Sequence, residues 1–321
     1  MAIDAWTQVG SQLNGQNVVD SLVAYNGKLY GGMGSTGRLF EWDDNAAWVE
    51  KAGQLNGQTR IFSLAVYNGK LYGGTASTGR LFEWDDNAAW VEKAGQLNSQ
   101  TVIYSLAVYN GKLYGGTSPG GRLFEWDDNA AWVEKAGQLN GQDAIYSLTV
   151  YNNILYGGTY DGGLAGGRLF EWDGLSNWVE KAGQHDTERS IESLAVYNSK
   201  LYGCTTNSSP AGGGLLLEWD DSNAWVEKAP KLNSQFEMWA MAVYRGRLYG
   251  STGTGGRLFR WNDNNAWEQV AIELNGQTRI MSLAVYRGRL YGGTLESGTS
   301  TGGRLFEFGE AAGQVISINI I

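Results

Sequence analysis

The tripeptide Leu-Tyr-Gly recurs along the chain with its tyrosine at Tyr30, Tyr72, Tyr114, Tyr156, Tyr202, Tyr249 and Tyr291. The intervals are 42, 42, 42, 46, 47 and 42 residues. Repetition at this period constrains the fold more than any other feature. Each unit is one supersecondary element, and such units bury their apolar faces only against one another.

Each unit reads as four short strands. In the second they are "IFSLAVY" (61–67), "KLYGGT" (70–75), "GRLFEWD" (79–85) and "AWVEKAG" (89–95). Asn68-Gly69 joins the first two, and Asn-Gly is the strongest short hairpin signal. Helical periodicity is absent. Apolar residues fall on both faces of the strands, as expected of sheets covered on both sides. Small sheets that stack radially and cover each other make a β-propeller. The expected fold is all-β: a seven-bladed β-propeller with four antiparallel strands per blade. Trp84 and Trp90 are expected to wedge between neighbouring blades. The glycine pair after the tyrosine permits close backbone approach. Its first member is glycine in every unit; its second becomes Cys204 in unit five and Ser251 in unit six. Small size is what that position demands, so Cys204 is read as a small buried side chain rather than a nucleophile.

Six tryptophans mark internal fourth strands: Trp48, Trp90, Trp132, Trp178, Trp225 and Trp267. The seventh is expected from the N-terminus, where "AWTQVGSQLNGQ" (5–16) matches "AWVEKAGQLNGQ" (47–58) at seven of twelve positions. An N-terminal strand would then complete the last blade, so that no sheet edge is left open. Residues 1–309 are expected to form one propeller. Residues 310–321 are expected to be an apolar tail: an extra edge strand, a contact segment or the stub of a following domain.

"VYNGKLYGG" followed by "LFEWDDNAAW" and "VEKAGQL" resembles the kelch repeat, over the whole repeated region. The resemblance implies a propeller and leaves activity open, since kelch propellers serve as binding platforms and as enzyme scaffolds. The unit is short, and the aromatic before Asp is Trp rather than Tyr. "AWVEKAGQLNGQ" and the Leu-Tyr-Gly strand are more weakly similar to tachylectin-type sugar-binding propellers.

Composition excludes several functions. The formal charge is −9, which argues against a nucleic-acid partner. No apolar run approaches the roughly 18 residues of a membrane-spanning helix. "MAIDAWTQVG" runs straight into repeat sequence, so no leader is expected. One cysteine allows no intramolecular disulfide and leaves the compartment open. A monomer is expected, with the tail as the segment able to mediate self-association.

Length varies in one place only. From the repeat tyrosine to the third-strand Trp or Phe, the distances are 12, 12, 12, 16, 17, 12 and 17; from there to the next tyrosine all six are 30. Every insertion therefore falls between strands two and three, at 159–167, 205–214 and 294–303. In a propeller this loop shares a face with the loop from strand four to the next strand one. That second loop is also the most varied in chemistry. The position of Arg60 carries Val18, Val102, Ala144, Ser190, Glu237 and Arg279 in other units; that of Phe62 carries Asp20, Tyr104, Tyr146, Glu192, Trp239 and Met281. Variation concentrates around the channel mouth on one face, where loops on a rigid scaffold usually carry binding groups.

The expected function is non-catalytic recognition of a glycan or protein on that face. Phe62, Tyr104, Tyr146, Trp239 and Tyr160 would stack on sugar rings. Asn207, Arg60 and Arg279 would supply hydrogen bonds. The alternative for each aromatic is simply to plug the mouth. The alternative function is a sugar-directed enzyme of lyase or mutarotase type, using Asp20, Glu192, Glu237, Arg60 and Arg279. The chain is expected not to be an enzyme: it has one histidine, His185, read as a solvated or packing residue, and no nucleophile elbow, phosphate loop or dinucleotide fingerprint. No cofactor is expected. A metal at Asp43-Asp44-Asn45 is disfavoured because the ligand spacing is wrong and these are ordinary turn residues. Glu41, Glu83, Glu125, Glu171, Glu218 and Glu307, with Arg38, Arg80, Arg122, Arg168 and Arg304 three residues earlier, are expected to form a structural ladder pairing around the ring.

Overall fold

The computed structural model describes residues 5–309 apart from 11–14, 43, 45–46, 55–56, 88, 127, 129–130, 140, 164–165, 208–213, 231–234, 236, 254, 272–273, 275 and 297–301. The tail, parts of the three long insertions and part of the Asp43-Asp44-Asn45 turn lie outside these residues. The described chain is all-β, with 28 strands and no helix. Five sheets are four-stranded. A sixth is eight-stranded and consists of two consecutive repeats joined at one residue pair, Tyr160 and Ser190.

Unit two shows how the repeat builds its sheet. Ile61–Tyr67 pairs with Lys70–Thr75 through the Asn68-Gly69 turn, where both residues have positive φ (46° and 71°). Asn and Gly tolerate that region, which the twist of a tight hairpin requires. Lys70–Thr75 pairs with Leu81–Trp84, which pairs with Trp90–Ala94, setting Trp84 directly opposite Trp90. Ile61, Leu71, Leu81 and Ala94 are buried.

Packing between units is aromatic. Trp84 of unit two lies 5.1 Å from the ring of Tyr30 in unit one. The same contact recurs as Tyr114–Trp172, Tyr156–Trp219 and Tyr202–Trp261, and Phe308 takes the indole's place against Tyr249. The glycine pair fits between these layers. A Cβ on Gly73 would come within 3.0 Å of Trp90; one on Gly74 would lie 2.5 Å from Ser63 Oγ and 2.7 Å from Ile103 of the next unit. Tyrosines latch each unit to the following hairpin: Tyr67 Oη donates to the Gly111 carbonyl (3.1 Å) and to Asp128 (2.5 Å).

The ring closes as the N-terminal match predicts. Ala5–Gly10 pairs antiparallel with Leu305–Gly309, setting Trp6 opposite Phe308. Ser282 Oγ donates to the Val19 carbonyl (3.1 Å) and Tyr286 Oη to that of Gly27 (2.6 Å), joining the last unit to the first.

The charged ladder differs from expectation. Glu83 and Arg80 do not pair around the ring; each is engaged inside its own sheet. Glu83 accepts from Lys70 (2.8 Å) and Tyr72 Oη (2.7 Å), while Arg80 meets Glu92 (2.7 Å). The reason is strand geometry: residues three apart project to opposite faces, so each meets a different cross-strand neighbour.

Candidate functional site

The site arises from a defect repeated in every unit. The ladder between the first two strands slips between Val19 and Ser21, Ile61 and Ser63, Ile103 and Ser105, Ile145 and Ser147, Ile191 and Ser193, Met238 and Met241, and Ile280 and Ser282. A β-bulge re-aims the extra residue out of the sheet. The re-aimed residues are Asp20, Phe62, Tyr104, Tyr146, Glu192, Trp239 and Met281, and all of them line one cavity of ≈ 750 Å³. These are the positions at which the repeats differ most. Regular strand residues must fit a neighbouring blade; the bulged one faces only the cavity and is free to vary.

The wall is divided by chemistry. On one side Phe62, Tyr104 and Tyr146 pack in sequence with their rings tilted by 50° and 58° and centroids 4.9 and 4.5 Å apart. Tyr160 stacks against Tyr146 at 4.9 Å with planes 4° apart. Beside this arc Arg60 grips Asp20 with two nitrogens, one at 2.8 Å, and its guanidinium lies 4.2 Å above the Phe62 ring. Burial holds the Asp20 carboxyl above its usual range even against Arg60. Across the cavity, Arg279 pairs with Glu237 (3.1 Å) and lies 4.9 Å above Trp239, whose indole N–H donates to Glu237 (3.1 Å).

Between the two sectors stands Glu192. Its Oε1 accepts from Ser190 Oγ (2.7 Å) and Thr206 Oγ1 (3.0 Å). Burial above all, with the charge of Glu237 adding to it, pushes this carboxyl up to about 7. Among the described residues no lysine or arginine forms an ion pair with it.

Phe62, Tyr104, Tyr146, Trp239, Arg60 and Arg279 therefore face one cavity. Tyr160 stands behind Tyr146. Asn207 does not reach the cavity: it is buried and donates to the Thr187 carbonyl (2.8 Å) and hydroxyl (3.0 Å), bracing its loop. Ser35 from a strand 2–3 loop and Thr59 from a strand 4–1 loop both line the mouth, which puts the two loop types on one face. Met281 and Glu296, which are not among the expected binding residues, also line it. Met281 shares the Phe62 position and so carried the same signal; Glu296 lies in the third insertion.

Elsewhere, His185 approaches Glu227 (3.6 Å), with Asp186 beside them, away from the cavity. Cys204 is buried, burial pushes its thiol up, and its Sγ lies 3.4 Å from the Met238 carbonyl, as suits a small packing residue.

No family model matches the chain, and no curated protein matches it. Solved structures do. A catalytically inactive virginiamycin B lyase from Staphylococcus aureus, determined with quinupristin, superposes with TM-score 0.73 at 12% identity, over 96% of this chain and 100% of that one. The WD40 β-propeller domain of Doa1 gives 0.67 at 16%, over 96% and 98%. YCF48 bound to D1 peptide gives 0.63 at 13%, over 97% and 98%. At these identities the likeness shows the fold, a β-propeller. The expectation that the chain is not an enzyme is overturned here. Lyases of matching fold and near-complete coverage stand among its neighbours, so the scaffold gives no ground for excluding catalysis. Among the described residues no helix is long and apolar enough to cross a membrane.

Proposed function

We propose that the chain is a seven-bladed, kelch-like propeller that binds a carbohydrate at the mouth of its central channel. One observation carries this reading: each bulge delivers one side chain to a common cavity, and those positions, with the one two residues earlier that carries Arg60 and Arg279, are where the repeats differ most. A cavity of ≈ 750 Å³ has room for a short oligosaccharide. The Phe62–Tyr104–Tyr146 arc offers flat apolar faces for sugar rings, and the paired arginines and carboxylates offer fixed hydrogen-bond partners. A second reading, chemistry on the bound sugar, is favoured by Glu192: a carboxyl titrating near 7 is able to take or give a proton at neutral pH.

The test is a glycan array followed by calorimetry on the hits, with the wild type, Tyr146→Ala and Trp239→Ala. Loss of about tenfold or more in affinity in both variants supports the reading. Undiminished binding in both sinks it. Turnover of a bound glycan that disappears in Glu192→Gln selects the second reading.

A further inference from the structure

At two places around the cavity a carboxylate and a guanidinium sit against an aromatic face, assembled from different repeat positions, and Glu192 has no such ion-paired cation. Asp20 is the bulged residue of unit one, and Arg60, two residues ahead of the next bulge, pairs with it while lying over Phe62. Glu237 is likewise held by Arg279, which lies over Trp239. In both places a carboxylate, a guanidinium and an aromatic face form one set. Glu192 is the bulged residue of unit five, equivalent to Asp20. The position equivalent to Arg60 in the next unit, however, is Glu237. Where Asp20 meets a guanidinium, Glu192 meets another carboxylate. The flanking tyrosine blades supply no cation either, since Val102 and Ala144 stand at the Arg60 position. Tyr104 and Tyr146 thus adjoin Glu192, a carboxyl with no ion-pair partner of its own among the described residues; the nearest cation, Arg279, is paired with Glu237.

We infer that the channel mouth takes a ligand bearing an organic ammonium group, seated against the tyrosine arc with Glu192 as its counter-ion. This rests on the cavity being the ligand site and names the charge that the ligand brings. Attraction of an ammonium to aromatic faces strengthens when the pair is desolvated, and a carboxylate facing a like charge gains most from a cation beside it. The groups facing Glu192 are Ser190, Thr206, Glu237, Arg279, Tyr104, Tyr146 and Cys204. Arg279 is engaged by Glu237, and burial holds both tyrosines and Cys204 well above neutrality. Glu192 is accordingly the group whose proton the cation displaces, and binding strengthens as pH rises through about 7.

The experiment compares choline with 3,3-dimethylbutan-1-ol, its uncharged isostere, by calorimetry at pH 6 and pH 8. Choline keeps its charge throughout, so any pH dependence belongs to the protein. The expected result is at least about tenfold preference for choline at pH 8, shrinking by about tenfold at pH 6, as the carboxylate fraction does. In Glu192→Gln, checked for an unchanged melting profile at pH 4, both the preference and its pH dependence disappear. Equal affinity for the two probes overturns the inference, as does a preference unchanged in Glu192→Gln. If neutral sugars bind in a Tyr146-dependent way and choline does not, the inference falls and the carbohydrate reading stands. If choline binds as described and no sugar does, the carbohydrate reading falls instead.

Discussion

Ser251 Oγ donates to the carbonyl of Ile280 in the following unit at 2.9 Å. In units one to four and seven this inter-blade bond comes from the first strand, as Ser63 Oγ to Ile103 (3.2 Å) or Ser105 Oγ to Ile145 (3.3 Å), and the strand-two position is glycine. Unit six has Ala240 where the serine would be and Ser251 where the glycine would be. The hydroxyl has moved one strand across while keeping its acceptor. Ser251→Gly is expected to cost about 1 kcal/mol by leaving a buried carbonyl unpaired. Adding Ala240→Ser should recover most of that, and urea denaturation measures both. A double variant no more stable than Ser251→Gly alone would refute the exchange.

Closure by the N-terminal strand predicts a large effect from a residue near the chain's beginning. Trp6 stacks edge-on against Phe308 at 5.7 Å, and its ring lies 2.9 Å from where a Cβ on Gly292 would sit. Trp6→Ala should destabilise the fold by about 3 kcal/mol or more, comparably to Trp132→Ala inside the repeat. A thermal midpoint within a degree of wild type would show that the strand contributes little.

The buried glutamates predict acid sensitivity. Burial opposes the charge of Glu41, Glu83 and Glu125. The hydrogen bonds from a lysine and a tyrosine and the charge of a second lysine outweigh it, holding all three below the usual carboxylate range. A depressed folded-state value means stability that is present above about pH 4.3 and lost as pH falls through the folded value. Stability should therefore decline below about pH 4.5, and Glu83→Gln should make that decline shallower. Equal slopes in wild type and variant would exclude the assignment.

Glu192 works in the opposite sense. Its folded-state value of about 7 lies above the unfolded one, so the folded state holds the proton more tightly. Ionisation therefore weakens the fold as pH rises from about 4.3 to 7, and the penalty is complete above that. Glu192→Gln should raise stability at pH 8 by roughly 1–2 kcal/mol, less than the full shift implies because water in the cavity screens the charge. At pH 4 the two proteins should match. A gain at pH 4 as large as that at pH 8 would point to packing instead.

The repeat tyrosines, the glycine pair, the paired indoles and the N-terminal match determine an all-β ring with its closing strand, because each is a local demand: a turn dipeptide, a close approach, a wedge, an open edge to cover. The variable face was legible for a related reason. Where architecture imposes nothing, Asp20, Phe62, Glu192 and Trp239 are free to differ. What the one-dimensional pattern could not decide is direction. Alternation along "IFSLAVY" does not show that Phe62 is expelled by a bulge while Ile61 and Ser63 pack against opposite neighbours. Nor does it show that Glu83 and Arg80 part to opposite faces, or that Asn207 turns back to brace Thr187. Tertiary structure alone set Asp20 against Arg60 and Glu192 against Glu237, because those pairs form between units some 40 residues apart. The charge of the cavity is a property of that juxtaposition, and no single repeat contains it.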